Sequence, residues 1–185
     1  MRVHGLLLAA GAGLRFGGPK ALARDADGTS WLPRAVTALR EGGCDALTVV
    51  LGAGAVEARD LLDPAVAVVV ATRYADGMSA SLRAGLEALL ESRAGAALVS
   101  LVDLPDVDAR VVARVLAAGA GPDALARATY DGVPGHPVLL GRAHWPGILT
   151  TTQGDRGARE YLATQRVVPV ECGDLATGTD VDVRP

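Results

Sequence analysis

Val3-His4-Gly5-Leu6-Leu7-Leu8-Ala9-Ala10-Gly11-Ala12-Gly13-Leu14-Arg15-Phe16-Gly17-Gly18-Pro19-Lys20 is the stretch on which the fold turns. Its apolar start is short and ends at glycine, so Val3–Ala9 reads as a buried strand. Four of the eight residues from 11 to 18 are Gly. Gly and Ala let the backbone come close to a ligand, and successive N–H groups can cradle oxyanions. Arg15 and Lys20 add positive charge, so the loop reads as a polyphosphate site rather than a tight strand-to-helix turn. Two other phosphate loops fail. Gly11 and Gly13 fit GxGxxG, but Phe16 stands at the third Gly, and no acid follows the second strand at Leu51-Gly52-Ala53. In the Walker A pattern Pro19 displaces Lys20, and no Ser or Thr follows it. Pro19 also pushes Gly18 towards extended geometry. The loop is therefore long and stretched, with Lys20 returning across it towards the ligand.

Composition bounds the rest. The 185 residues suit one domain, with 50% hydrophobic and 21% charged residues excluding a disordered chain. Aromatics are 3%, so Ala, Val and Leu must build the core. A net charge of -3 gives no general electrostatic reason to bind nucleic acid or an anionic membrane. Apolar runs such as 66–71 fall far short of the roughly 20 residues of a membrane span. The start lacks the apolar region and cleavage site of a signal peptide, so a cytoplasmic location is expected. Cys44 and Cys172 have no CxxC spacing and read as two reduced thiols. The 18 basic residues include 17 Arg and a single Lys, Lys20. Where Arg does the generic cation work, that lone ammonium hints at a position needing a compact point charge.

Outward from the loop the pattern alternates. Strands are expected at 3–9, 46–51, 66–71, 96–102, 124–129, 137–140 and 167–170. Helices are expected at 32–42, 55–62, 79–92, 109–118, 142–149 and 157–163. Continuous apolar strands between amphipathic helices imply a mostly parallel sheet covered on both faces, a Rossmann-related three-layer α/β/α fold. Ligands then sit beyond the carboxyl ends of the strands. Residues 130–137 break the alternation, and 130–165 are expected to form a small acceptor-binding lobe closing the site.

Three segments beyond those strand ends carry chemistry. Asp76-Gly77-Met78-Ser79-Ala80-Ser81-Leu82 precedes a helix, where Ser79 or Ser81 can cap it. Leu101-Val102-Asp103-Leu104-Pro105 ends an apolar strand in a carboxylate, well placed for a metal, while Asp106 or Asp108 better caps the next helix. Asp180 and Asp182, two apart on an extended segment, face the same way.

The string Leu-Ala-Ala-Gly-x-Gly-x-Arg-Phe-Gly-x-Pro-Lys resembles the signature loop of the MobA-like nucleotidyltransferases, enzymes of GT-A-like fold that move a nucleoside monophosphate onto a phosphorylated acceptor. Gly77-Met78-Ser79-x-Ser81-Leu82, Asp103-x-Pro105, Gly135-His136-Pro137 and Gly154-Asp155-Arg156-Gly157 extend the resemblance to the molybdenum cofactor cytidylyltransferase (MocA-like) branch. The resemblance implies that Leu8, Ala9, Ala10, Gly11, Ala12 and Gly13 hold the nucleotide, with Gly77, Ser79 and Ser81 reading base and ribose. It implies that Arg15 and Lys20 contact phosphates, with Lys20 stabilising charge at the α-phosphate. Asp103 and Asp182 would hold Mg²⁺, with Asp180 the weaker candidate, and His136 with Arg156 or Arg159 would meet the acceptor. Ala9-Ala10-Gly11 goes with cytosine in that family, so CTP and a molybdopterin-type phosphate acceptor are expected, with a molybdenum hydroxylase as client. Two alternatives stay open: a sugar or polyol phosphate acceptor, and a non-catalytic cofactor-insertion chaperone. The end departs from the family pattern, with Val183-Arg184-Pro185 where Thr-Pro and a final helix are usual.

Overall fold

The protein was described as a computed structural model covering residues 2–119 and 121–183. Met1, Arg184 and Pro185 lie outside the described residues, and with them the expected chain start and most of the departure at the end. Seven strands, β1 (Val3–Ala9), β2 (Ala46–Leu51), β3 (Ala67–Val70), β4 (Ala96–Leu101), β5 (Leu125–Tyr130), β6 (Val133–Gly141) and β7 (Val168–Glu171), form one sheet in the order β3-β2-β1-β4-β6-β5-β7. Strands β1 to β4 are mutually parallel, β6 is antiparallel to both β4 and β5, and β7 is parallel to β5. The fold is α/β with a mostly parallel mixed sheet.

Among the described residues six α-helices cover the sheet: α1 (Trp31–Glu41), α2 (Ala55–Arg59), α3 (Met78–Leu89), α4 (Ala109–Ala117), α5 (Trp145–Thr151) and α6 (Arg159–Ala163). Because successive strand residues point to opposite faces, β1 feeds two cores. Leu7 and Ala9 join Leu32, Val36 and Leu39 of α1 and Val111, Val112 and Val115 of α4. Leu6 and Leu8 join Leu82, Leu86 and Leu89 of α3, Trp145 and Ile148 of α5, and Leu162 of α6. This is why β1 is apolar throughout. Asp108 starts α4, accepting from the backbone N–H of Arg110 and Val111 through one carboxylate oxygen, at 2.9 and 3.4 Å.

Residues 130–165 differ from the expected lobe in their first third. Val133–Gly141 is a nine-residue strand inside the sheet, not the four residues 137–140. Asp131 and Gly132, with φ of 50° and 78°, make a two-residue hairpin turn that pairs Tyr130 with Val133. A register shift between Arg127 and Thr129 lets β5 accommodate the Pro134-Gly135-His136-Pro137 stretch. The rest of the segment splits into short 3-10 turns, Arg142–His144 and Gly154–Arg156, leading into α5 and α6.

Candidate active site

The chain runs from β1 through β2 to β3 on one side, then crosses to β4 on the other side of β1. Such a switch point opens a crevice beyond the strand ends. A cavity of about 510 Å³ lies there, lined by the loop from Leu8 to Phe16, Lys20, Gly77, Met78, Ser81, Asp103 and Asp182, among others.

The loop folds back on itself before it reaches Lys20. Gly17 and Gly18 both donate to the carbonyl of Gly13, at 2.9 and 3.1 Å. Gly13 has φ of 58°, and a Cβ there would lie 1.9 Å from the Gly18 carbonyl oxygen, so only glycine fits. Phe16, the residue that breaks GxGxxG, is buried against Trp31 of α1 with ring centroids 5.3 Å apart. That anchor leaves the loop backbone on the cleft and returns the chain through Pro19 to a 3-10 turn, Lys20–Leu22.

Lys20 is the centre of the site. Its Nζ donates to Asp103 Oδ2 at 2.7 Å and to Asp182 Oδ1 at 2.8 Å. Lys20 and Asp103 side chains are only 14% and 15% exposed, against 44% for Asp182, so the pair is shielded from bulk water. Burial alone would push the Lys20 ammonium down, but the hydrogen bonds and charges of Asp103 and Asp182 more than offset it and raise its pKa. The hydrogen bond from Lys20, then its charge, holds the Asp182 carboxyl below the usual range. Arg15 stands on the rim, 83% exposed, with its guanidinium 3.4 Å from Asp182.

Asp182 reaches this point on a strap formed by the chain beyond β7. Thr177 donates to Asp106 through its backbone N–H at 2.6 Å and its hydroxyl at 2.7 Å, and the Val181 N–H donates to the Asp103 carbonyl at 3.1 Å. The strap brings one carboxylate oxygen each of Asp103, Asp180 and Asp182 within 4.8 Å of one another. Three hard oxygen donors converging at a strand end fit a small divalent cation such as Mg²⁺ or Mn²⁺.

The structure thus brings together Leu8, Ala9, Ala10, Gly11, Ala12, Gly13, Arg15, Lys20, Gly77, Ser81, Asp103 and Asp182 on one cleft. Ser79 is not among its lining. It is buried, two residues before Ser81 on α3, and its Oγ accepts from the Gly157 N–H at 3.1 Å. Neither serine caps α3, whose N-cap is Gly77 without a side-chain bond. His136 and Arg156 line a separate cavity of about 50 Å³, which shares Leu8 and Met78 with the main cleft. Arg156 is engaged by Glu160, as on a solvated helix face. Asp155 does not cap α6, which begins after Ala158 with no side-chain cap, but lines the main cleft. Tyr74, Met78 and Asp155 are lining residues that the motifs did not single out as contacts. The signal for Asp155 is Gly77: with φ of 102°, a Cβ on it would meet Asp155 Oδ1 at 2.2 Å.

A Gly-rich loop, a switch-point cleft, a buried ammonium and clustered carboxylates define a nucleotidyltransferase-type α/β protein. The model of the MobA-like NTP transferase domain matches residues 5–170, and the chain belongs to that family. It is similar to nicotine blue oxidoreductase of Paenarthrobacter nicotinovorans, 36% identical over 192 positions that cover 97% of this chain and 92% of that protein. Among solved structures it is similar to Rv0371c of Mycobacterium tuberculosis H37Rv, 27% identical with a TM-score of 0.81, covering 99% of this chain and 94% of that one. The manganese complex of the same mycobacterial protein superposes with a TM-score of 0.78 at 26% identity, over 98% and 94% of the two chains.

Proposed function

We propose that the protein transfers a nucleoside monophosphate, CMP from CTP, onto the phosphate of a molybdopterin-type acceptor with release of pyrophosphate. The observation that carries this reading is the Lys20 ammonium, bracketed by Asp103 and Asp182 at the mouth of the Gly-rich loop. In this reading the loop N–H groups bind the triphosphate, and Gly77 and Ser81, which line the same cleft, meet ribose and base. An acceptor phosphate oxygen attacks the α-phosphorus, the bond from that phosphorus to the bridging oxygen breaks, and pyrophosphate carries away the electron pair. A phosphate monoester is already a nucleophile, so no side-chain base is needed. The protein contributes alignment and charge compensation. Lys20 meets the charge developing between α-phosphate and leaving group, and Arg15 approaches from the rim. A divalent ion on Asp103 and Asp182, with Asp180 adjacent, supplies further neutralisation of phosphate oxygens when bound. The setting is cytoplasmic, where CTP and Mg²⁺ are abundant.

Ala10 lines the cleft as part of the Ala9-Ala10-Gly11 string that goes with cytosine in the resembling family. CTP is therefore expected over GTP and ATP. A second reading is favoured by the relative named for an oxidoreduction: the same cleft holding a redox nucleotide. One panel separates the readings. Pyrophosphate release is measured for CTP, GTP and ATP with molybdopterin, sugar phosphate and polyol phosphate acceptors, beside NADH and NADPH oxidation with a dye. Release with CTP and the pterin supports the proposal, and preference for GTP rejects the base assignment. Nicotinamide oxidation without pyrophosphate supports the second reading, and nucleotide binding with neither reaction makes the protein a carrier.

A further inference from the structure

β3 closes one end of the sheet and β7 the other, and their outer edges are built differently. The Ala71 N–H donates to the Leu51 carbonyl of β2 at 2.8 Å. Backbone groups alternate along a strand, so those of Ala67 and Val69 also turn towards β2, and those of Val68 and Val70 turn out. On β7 the Cys172 N–H donates to the Thr129 carbonyl at 2.8 Å, and the same alternation turns out Pro169 and Glu171. Proline has no N–H to offer and glutamate carries charge, and both guard an edge. β3 has no such guard. Residues 66–71 are all apolar, without charge or proline, and Val70 is 54% exposed. No strand pairs with the outer side of β3 among the described residues. Open grooves flank it. One, of about 330 Å³, runs along Val66 and Val68 beside Asp60 and Asp63. The other, of about 650 Å³, lies between Val70 and α3, and its charges balance: Arg73 and Arg83 against Asp76 and Glu87.

An unguarded edge of β-branched residues is a template for another strand. A groove with equal numbers of acids and bases favours a copy of itself, because a two-fold axis sets each sign against the other. We propose that the chain forms a two-fold dimer in which β3 pairs antiparallel with β3 of a second copy, joining the two sheets into one. With the axis at Val69, Val68 of each copy stands opposite Val70 of the other. These are the residues whose N–H and C=O face outward, so each pair exchanges both of its hydrogen bonds. Val69 meets its own copy across the axis as a non-hydrogen-bonded pair, the closer kind, in which β-branched side chains pack. The same axis sets the acidic start of β3, at Asp60 and Asp63, beside the end of the other β3, at Arg73. Arg73 is free to turn to them, since its ion pair with Asp76 is exposed on both sides and worth little. The interface is independent of the transfer chemistry proposed above.

Sedimentation velocity of the full chain over a wide concentration range should show a monomer–dimer equilibrium. Val70→Lys puts a charge into the ladder at an exposed position and should weaken dimerisation by about tenfold or more. Arg83→Glu, which turns the groove acidic, should weaken it too, and adding Glu87→Arg should restore it by returning the balance. Cross-linking tests the register. Val69→Cys should form a disulfide-linked dimer under mild oxidation, because facing Cα atoms of a non-hydrogen-bonded pair are about 4.5 Å apart, within disulfide range. Val70→Cys, offset by two residues from its own copy, should not. Cys44 and Cys172 are buried and do not compete. The cross-linking pair keeps the test decisive should Val70→Lys fold poorly. A wild type that stays monomeric at every concentration overturns the interface. So does a dimer that Val70→Lys leaves intact, or equal cross-linking at positions 69 and 70.

Discussion

Lys20 holds two positions in tension. Its ammonium already satisfies Asp103 and Asp182, the carboxylates proposed to receive a divalent ion, and it is also the group proposed to meet phosphate charge. Lys20→Ala should therefore move two observables in opposite directions. Mn²⁺ should bind about tenfold more tightly, because a competing charge-assisted contact of ~1.4 kcal/mol is gone. Turnover should fall by about two orders of magnitude, as on loss of an oxyanion donor. Calorimetric titration with Mn²⁺ beside pyrophosphate release measures both, and parallel loss of both would deny the exchange. The serines make a second pair of opposites. Ser81→Ala should raise the KM for nucleotide with little change in stability. Ser79→Ala should leave that KM alone and cost about 1–3 kcal/mol in denaturant unfolding, because the buried Gly157 N–H loses its acceptor. At this scale the sequence was legible where a motif fixed the backbone, as at Gly13, Lys20 and Asp103. It was not legible where the decision depends on helical phase or on a neighbour far along the chain. Ser79 and Ser81 are equivalent as letters, and only the turn at Gly77 decides which faces the cleft. Arg127 carries no local sign that its guanidinium would reach the Gly135 carbonyl on β6.

The hairpin of β5 and β6 is tied to the chain beyond β7 by Glu171. Its carboxylate accepts from the Gly173 N–H at 2.8 Å, the Thr129 hydroxyl at 2.9 Å and the N–H groups of Asp131 and Gly132 at 3.0 and 3.1 Å. The bond from Gly173 leads, followed by those of Thr129 and the turn, in depressing its pKa from 4.5 to about 2. A carboxyl depressed on folding stabilises the native state above its unfolded pKa and loses that contribution as pH falls through the folded one. The melting temperature of Glu171→Gln should therefore lie below the wild type above about pH 4.5, with the gap narrowing towards pH 2. A gap that is constant across that window would deny the clamp. The elements themselves were read well where apolar runs sit between helices, so β1, β2 and β4 match the expected strands within a residue. The front half of β6 was hidden because Pro134, Gly135 and Pro137 normally break a ladder. The Asp131-Gly132 turn was visible, but the register shift that lets β6 run through those residues arises only in pairing with β5.

Across the whole molecule, the three-layer arrangement and the switch-point cleft followed from the alternation of strands and helices. The insertion of β6 between β4 and β5 did not, since strand order depends on long-range pairing. If the clustered carboxylates hold a divalent ion in the folded chain alone, stability must rise with ion concentration. At a hundredfold excess over Kd the gain is about 2.7 kcal/mol, seen as an upward shift in melting temperature. Mg²⁺ or Mn²⁺ should produce that shift in the wild type, and Asp103→Asn should abolish most of it. An equal shift in both would remove Asp103 from the donor set. One further consequence follows from the strap. Asp182 stands 162 positions from the lysine it engages, and it arrives only after all seven strands have been made. A nascent chain emerging from the ribosome could lay down its entire sheet and its glycine loop and still lack the arrangement at Lys20. Competence would then be withheld until the chain around Asp182 has been made and released, so copies that stop short of it could not consume nucleotide.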